Sequence, residues 1–561
     1  MTIPIPQNFV QTIAKQRGVT DAELKTVFMA LDGQSTATIA RNLGISDIAV
    51  RKRLGEVYKK FQIGGNGPGK LSELRHQLLF SYHSEQEASD FSPEGKGSFF
   101  KMPLLSVGAA PVGASSANAR RQQDWGQAPD VAVFYGRSEE LTALNQWIVS
   151  DNCRLVALLG LAGSGKTTLS VQLAKQLQNE FDFVIWRSLR STPTADEFLS
   201  NLIQVFSNQQ KVDRPLAEPT NKIEQGDQIS RLIEYLRKQR CLLILDDFEA
   251  VLRPEELAGH YREGCEGYRD LIVRLCEVNH HSCLLLVSSE EPTELALLAG
   301  EKVRSLKPSI SSEIAREIFQ EKGLSALDGE WEILLARYGG NLLSLKIVAA
   351  TIHDFFEGNV SKFLEATGLF IEENISNLLA QQFDRMSSSE QEIACWLAIA
   401  QSPISLATLR EQMLVNSSLS DLLKNLDSLN RRSLIEKISE GGETVFMLQP
   451  LIVQYVRERL VEQIRSEVLE TVKTQEIERM RLLKTHNFSQ SIVQLKEGKE
   501  AGSRSILELV KNRLQVVFLK TTGFEEPLNI LTKVVSDLER KSMLEAGYAK
   551  ENLAQIIAEI Q

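Results

Sequence analysis

The densest chemistry in the sequence lies at Gly160-Leu161-Ala162-Gly163-Ser164-Gly165-Lys166-Thr167-Thr168. The spacing fits G-x-x-x-x-G-K-[ST], with the apolar run Leu155 to Leu159 before it and the amphipathic segment Leu169 to Leu177 after it. A strand, a glycine-rich turn and a helix in that order are what phosphate binding requires. The glycines let successive N–H groups curl inward at a helix N-terminus whose dipole favours anions. Lys166 would set a point charge against β- and γ-phosphates, and the Thr167 hydroxyl could ligate Mg²⁺. A second motif, Leu242-Leu243-Ile244-Leu245-Asp246-Asp247, reads as a buried strand ending in two carboxylates. Asp246 suits holding the metal through water, and Asp247 suits orienting or deprotonating an attacking water. Taken singly, the first motif could be a chance glycine turn and the second a strand-end Asp capping a helix. In register with each other they point to ATP or ADP with Mg²⁺.

The elements that must position these groups follow from the apolar pattern. Runs of strand length at Leu155–Leu159, Phe183–Trp186, Leu242–Leu245 and Leu284–Val287 alternate with helical segments between Val131 and about Arg304. This alternation predicts an α/β core, a parallel sheet with helices on both faces, over residues 131–307. Residues 308–379 read as helical. Residues 380–460 give three helical stretches, then Leu434 to Ile438, a Gly441-Gly442 turn and Val445 to Leu448, the order of a winged helix. Residues 461–561 are helical in pattern and carry no chemical motif. No internal repeat is evident.

Composition limits the remaining options. Six cysteines in 561 residues, with no C-x-x-C pair, suit a reducing compartment and give no disulfide framework. Cys276, His280, His281 and Cys283 cluster as zinc ligands do, but their setting at a helix end running into a buried strand favours ordinary packing. No apolar run approaches bilayer length, and the N-terminus lacks a basic-then-apolar signal pattern, so a cytoplasmic chain without a membrane partner is expected. The stretch 81–130 is rich in Gly, Ser, Ala and Pro, cannot bury a core, and reads as a flexible tether.

Charge is uneven. Residues 1–80 hold 11 Lys/Arg against 6 Asp/Glu within a chain of net charge −10. That segment is therefore the part able to meet nucleic acid, since the acidic remainder would be repelled by a phosphate backbone. Within it, Gln34 to Leu54 has helix-turn-helix geometry. Ile39, Ala40, Leu43, Val50, Leu54, Val57 and Phe61 share one apolar face, Gly44 permits the turn, and Ser46 can cap the second helix. Arg51, Lys52 and Arg53 fall on the other face. The competing reading is a helical protein-interaction module with a solvated basic face.

The ordered motifs resemble a known family, the NB-ARC class of STAND signalling NTPases in its bacterial multidomain branch. The resemblance covers about Asp124 to Leu460 and is carried by Val133-Phe-Tyr135-Gly136-Arg137, by the phosphate motif, and by Gln239 to Asp247. Tyr338-Gly-Gly340-Asn341-Leu342-Leu343 and Phe446-Met-Leu-Gln449-Pro450 complete the series. It implies that Tyr135, Gly136 and Arg137 lie beside adenine and ribose, that Gly340, Leu342 and Gln449 belong to the nucleotide site, and that helical (ARC) and winged-helix domains close over it. Such proteins rest with ADP, open on exchange for ATP, and self-associate. They usually carry a repeat sensor, often a WD-repeat propeller, which residues 461–561 do not show; the chain is read as a shortened member or a fragment. Residues 20–65 resemble a LuxR-type DNA-binding domain. That likeness implies base contacts from Arg51 and Lys52 and phosphate contacts near Lys59 and Lys60.

The sequence departs from the NB-ARC pattern at Ser288-Ser289-Glu290, where Ser-Arg is expected, at Leu342 for proline, and at Gln449-Pro450 for His-Asp. A glutamate about 5 Å from the γ-phosphate would repel it by roughly 3 kcal/mol at an effective dielectric near 20. Weak hydrolysis and a preference for ADP would follow. The alternative is a Glu290 turned to solvent. The expected function is a nucleotide-controlled DNA-binding regulator; a signalling or defence scaffold whose N-terminal helices recruit protein partners and a working ATPase are the alternatives.

Overall fold

A computed structural model describes residues 11, 13–14, 17, 19–31, 36–61, 74, 122–131, 133–210, 225–327, 329–366, 371–413, 418–440, 442–488, 505–520 and 523–560. Most of the expected tether lies outside the described residues. The chain divides into two units, Met1–Ser115 and Ser116–Gln561.

Among the described residues the first unit has three helices, Asp21–Leu31, Thr36–Leu43 and Asp47–Lys60. Ile39, Ala40, Val50, Leu54, Val57 and Phe61 meet Leu24, Val27 and Ala30 in one apolar core. Gly44 takes φ +64° between the second and third helices, a conformation that side chains with a Cβ resist. Ser46 caps the third helix by accepting the Ala49 N–H at 3.2 Å.

In the second unit six parallel strands form one sheet. They are β1 (Gln122–Asp124), β2 (Leu155–Leu159), β3 (Phe183–Ser188), β4 (Cys241–Asp246), β5 (Cys283–Ser288) and β6 (Val303–Leu306), in the order β1-β3-β4-β5-β2-β6. Strands buried on both faces read as continuous apolar runs, and successive side chains still alternate between faces. Leu155, Ala157 and Leu159 of β2 enter one core with Leu243 and Leu245, while Val156 and Leu158 enter the other with Leu242 and Ile244. The two edge strands are absent from the sequence reading because they are short and polar. β1, Gln-Gln-Asp, falls within the span assigned to the tether and pairs with Phe183 to Ile185.

Helices follow from Ser312, and a small sheet, β7 (Ile404–Ser405), β9 (Glu443–Leu448) and β8 (Ile435–Glu440), is inserted among them in the order β7-β9-β8. Helix Ser388–Ala400 starts with a reciprocal capping box: Ser387 Oγ accepts from Glu390 N at 3.2 Å and Glu390 Oε2 accepts from Ser387 N at 2.8 Å. Helix Pro450–Thr474 crosses position 460 without a break, so the winged-helix span and the C-terminal helices share one apolar core that runs on to Ile560. Among the described residues no helix is long and apolar enough to cross a membrane.

Candidate functional site

The phosphate loop joins β2 to helix Lys166–Leu177. Gly160, Gly163 and Gly165 take φ of +150°, +79° and +84°. A Cβ on Gly163 would sit 2.8 Å from Asn341 Oδ1, and one on Gly165 would sit 2.8 Å from Leu342 Cδ2. Both positions therefore need glycine for conformation and for room. Lys166 is buried, and its Nζ donates to the carbonyls of Gly160 and Leu161, each at 2.9 Å. Burial lowers its pKa, while Glu249, Asp246 and Asp247 act in the opposite direction.

Thr167 Oγ1 donates to Asp246 Oδ1 at 3.1 Å, which brings together the two groups expected to hold Mg²⁺. Burial, reinforced by the Asp247 charge, pushes the Asp246 carboxyl up to about 7, against hydrogen bonds from Asp247 N and Thr167. Asp247 stands at φ +55°, a strained conformation for a residue with a side chain. Its carboxylate accepts from Ser188 Oγ at 2.8 Å and from Arg190 at 3.2 Å. Thr168 lies half-buried in the first turn of the helix. The buried Ser164 hydroxyl has no partner among the described residues. An unpartnered hydroxyl, a glycine cradle, an ammonium and a hydroxyl–carboxylate pair fit a nucleotide phosphate with Mg²⁺, which takes one or two carboxylates and phosphate oxygens. Bound there, Mg²⁺ would neutralise phosphate charge; Thr167 and Asp246 are the residues to hold it.

The segment Tyr135-Gly136-Arg137 passes behind this loop. Arg137 is buried at φ +59°, and its guanidinium donates to the carbonyls of Ser164 at 2.5 Å and Gly165 at 3.4 Å. Ile314 lies so near Gly136 that a Cβ there would come within 2.5 Å of it. The Tyr135 ring carries Lys346 Nζ at 4.6 Å from its centre, and a hydrogen bond to Glu321 pushes its hydroxyl up to about 12. Among the helices beyond the sheet, Asn341 caps helix Leu342–Phe356 and donates from Nδ2 to Ala162 O at 2.9 Å, while Leu343 N donates to Gly163 O at 3.0 Å. Gly340, at φ +62°, turns over Ile310. Gln449 donates its N–H to Leu434 O, and the next residue, Pro450, lies against the Gly339 turn.

The Glu290 side chain is held by counter-charges. It is buried rather than turned to solvent, and its carboxylate accepts from Gly259 N at 2.9 Å, Arg385 at 2.9 Å and Arg432 at 2.6 Å. Two guanidiniums and an amide saturate the charge that was to repel phosphate. Three residues beside the site carry no signal in the sequence reading. Glu249 accepts from Ser288 Oγ and Ser289 N at 3.2 and 3.1 Å, and of the charges acting on Lys166 it has the largest effect. Its spacing, two residues beyond Asp247, is the one clue available. Ser188 and Arg190 are placed only by the parallel pairing of β3 with β4.

Cys276 and Cys283 are buried, and His280 Nε2 pairs with Leu275 O at 2.9 Å. Among the described residues no group of three or more His, Cys, Asp or Glu could hold a metal. Of the basic residues in the first unit, Arg51 and Lys52 are exposed and Arg53 is half-buried. Lys59 pairs with Glu56 at 2.9 Å and Lys60 with Glu23 at 2.7 Å.

Residues 137–257 match the NB-ARC domain family, a stretch that includes this phosphate loop. An uncharacterized WD repeat-containing protein of Nostoc sp. is 39% identical over 474 residues, which is 78% of this chain and 37% of that protein. The chain thus spans little more than a third of that relative. The disease resistance protein RPM1 of Arabidopsis thaliana is 26% identical over 17% of this chain and 10% of its own length. A solved STAND protein with a tetratricopeptide repeat sensor from Pyrococcus horikoshii aligns with 16% identity over 78% of this chain and 65% of its own, at a TM-score of 0.28.

Proposed function

We propose that this chain is a nucleotide-controlled signalling switch: the NB-ARC domain binds ADP or ATP with Mg²⁺, and nucleotide state sets how the helical and winged-helix segments sit on it. The observation that carries this reading is the contact of Asn341 and Leu343 with the carbonyls of Ala162 and Gly163. A ligand that moves the phosphate loop must act directly on the start of helix Leu342–Phe356. Self-association on opening is the output consistent with the switch reading. Arg190, the arginine that touches Asp247, is available to stabilise charge in hydrolysis. The test is to purify the chain, denature it and identify the released nucleotide by chromatography. Stoichiometric ADP is expected, and protein free of nucleotide that also binds none at millimolar concentration would refute the reading.

The first unit is proposed to read DNA through Arg51 and Lys52, which stand on the solvent side of helix Asp47–Lys60 opposite Val50, Leu54 and Val57. Phosphate contacts at Lys59 and Lys60 would have to compete with Glu56 and Glu23. Those two ion pairs favour the second reading, recruitment of a protein partner by the same helices. Fluorescence anisotropy with duplex DNA separates them. Arg51→Ala with Lys52→Ala is expected to weaken binding at least about tenfold and to flatten its slope against salt by about one unit for each phosphate that is no longer neutralised. A salt-independent signal, or one unchanged in the double variant, favours the protein partner.

A further inference from the structure

Three carboxylates follow one another at the end of β4, and they lean to different sides of the sheet. Asp246 closes the strand, Asp247 comes next, and Glu249 stands on the short helical turn Phe248–Val251. Asp246 stays with Thr167 at 3.1 Å. Asp247 turns toward β3, where Ser188 Oγ and Arg190 hold it at 2.8 and 3.2 Å. Glu249 turns the other way. Its Oε2 accepts from Ser289 N at 3.1 Å and from Ser288 Oγ at 3.2 Å, at the tip of β5. The strand order β3-β4-β5-β2 makes this difference count. Ser288 is the register partner of Leu159, the last residue of β2 before the phosphate loop, whereas Ser188 is the partner of Asp246 itself. Of the two carboxylates beyond Asp246, Glu249 therefore stands on the phosphate-loop side of β4 and Asp247 on the far side.

The charges around the loop give that placement a consequence. Lys166 Nζ is bonded to the carbonyls of Gly160 and Leu161, and among the described residues it forms no ion pair. Glu249 acts on it more strongly than Asp246 or Asp247 does, yet is tied to the β5 amide instead of the ammonium. The ammonium is left open to phosphate with a fixed anion nearby. A lysine in this motif meets the β- and γ-phosphates. A diphosphate brings one of those groups to it and a triphosphate brings both, so the added charge falls in the field of Glu249. Like charges in a partly desolvated site repel far more than they do in water.

We propose that Glu249 makes the phosphate site favour a nucleoside diphosphate over the triphosphate, the selecting role that Glu290 cannot take because Arg385 and Arg432 neutralise it. The inference rests on the nucleotide reading above and adds to it the residue that sets the balance between the two ligands. The effect is separable from metal binding. Among the described residues Glu249 makes no hydrogen bond to Thr167 or Asp246, so removing its charge leaves the Mg²⁺ ligands in place.

The test is competition of ADP, and of the non-hydrolysable β,γ-imido analogue of ATP, against N-methylanthraniloyl-ADP, read by fluorescence on the full chain with Mg²⁺ present. Glu249→Gln keeps an acceptor for Ser289 N and loses the charge. It is expected to tighten the triphosphate analogue relative to ADP about tenfold, the size of a like-charge repulsion across roughly 10 Å at an effective dielectric near 20. Asp247→Asn removes a charge on the β3 side and is expected to shift the ratio less. An unchanged or reversed ratio in Glu249→Gln, or an equal shift in Asp247→Asn, would overturn the proposal and leave the nucleotide reading intact. Wild-type protein that binds neither ligand would overturn both. Should Glu249→Gln lose its far-ultraviolet circular dichroism, Glu249→Ala is judged by the same ratio.

Discussion

Lys166→Met is expected to lower ADP affinity by about 30-fold to several thousand-fold in calorimetry, the range for deleting one member of a buried charge pair. The size follows from where the ammonium sits. It lies in the interior at the start of helix Lys166–Leu177, held by the carbonyls of Gly160 and Leu161 and within the field of Glu249, Asp246 and Asp247. When a diphosphate enters, that ammonium is a buried cation at the loop, beside Arg137, able to offset its charge against three carboxylates. Methionine keeps the volume of the side chain and removes the charge. The backbone cradle remains, which is why some affinity for phosphate should survive through amide contacts alone. The thermal midpoint should move little, because the substitution also relieves the desolvation of a buried cation. Wild-type ADP affinity in Lys166→Met would rule out the phosphate site.

Acidification is expected to loosen the C-terminal helices selectively. His486 is buried between Trp396, whose ring centre lies 4.9 Å away, and Phe488, and its Nε2 has no partner among the described residues. Burial depresses its pKa from 6.5 to about 4. The folded state refuses the proton that the unfolded chain accepts, so stability is full above pH 6.5 and is lost as pH falls toward 4. At 1.36 kcal/mol per unit the loss reaches about 3 kcal/mol by pH 4. Hydrogen exchange of residues 480–488, which Asn552 also holds through the carbonyls of Leu483 and His486, is the local readout. Protection should fall between pH 6.5 and 4.5, and fall less in His486→Gln. An equal fall in both would assign the effect to other groups.

The parts of the site that were legible in the sequence are those held by neighbours in the chain. A glycine-rich turn between an apolar strand and a helix has one main use, and its spacing was enough to bring Lys166 and Thr167 to one end of the sheet. The approach of Asp246 to Thr167 could also be anticipated, since a strand that ends in carboxylates beside another strand's phosphate loop needs only parallel pairing. The alternation of apolar runs gave four of the six strands; β1 and β6 escaped because three or four residues, all of them polar in β1 and half of them in β6, carry no periodic signal.

Glu290 shows the limit of that logic. Its position after β5 was legible, and the direction of its side chain was not, because that depends on Arg385 and Arg432, 95 and 142 residues further along. A carboxylate goes where its counter-charges are, and only the packing of the segment from Arg385 to Arg432 brings those arginines to it. The pairing of Lys60 with Glu23 and of Asp247 with Arg190 follows the same rule. The sequence by itself determined a phosphate cradle on a parallel sheet, because steric and hydrogen-bonding rules act over a few residues. Which charges neutralise one another was decided by tertiary structure alone, since Coulomb attraction in a desolvated interior depends on distance through space and not along the chain.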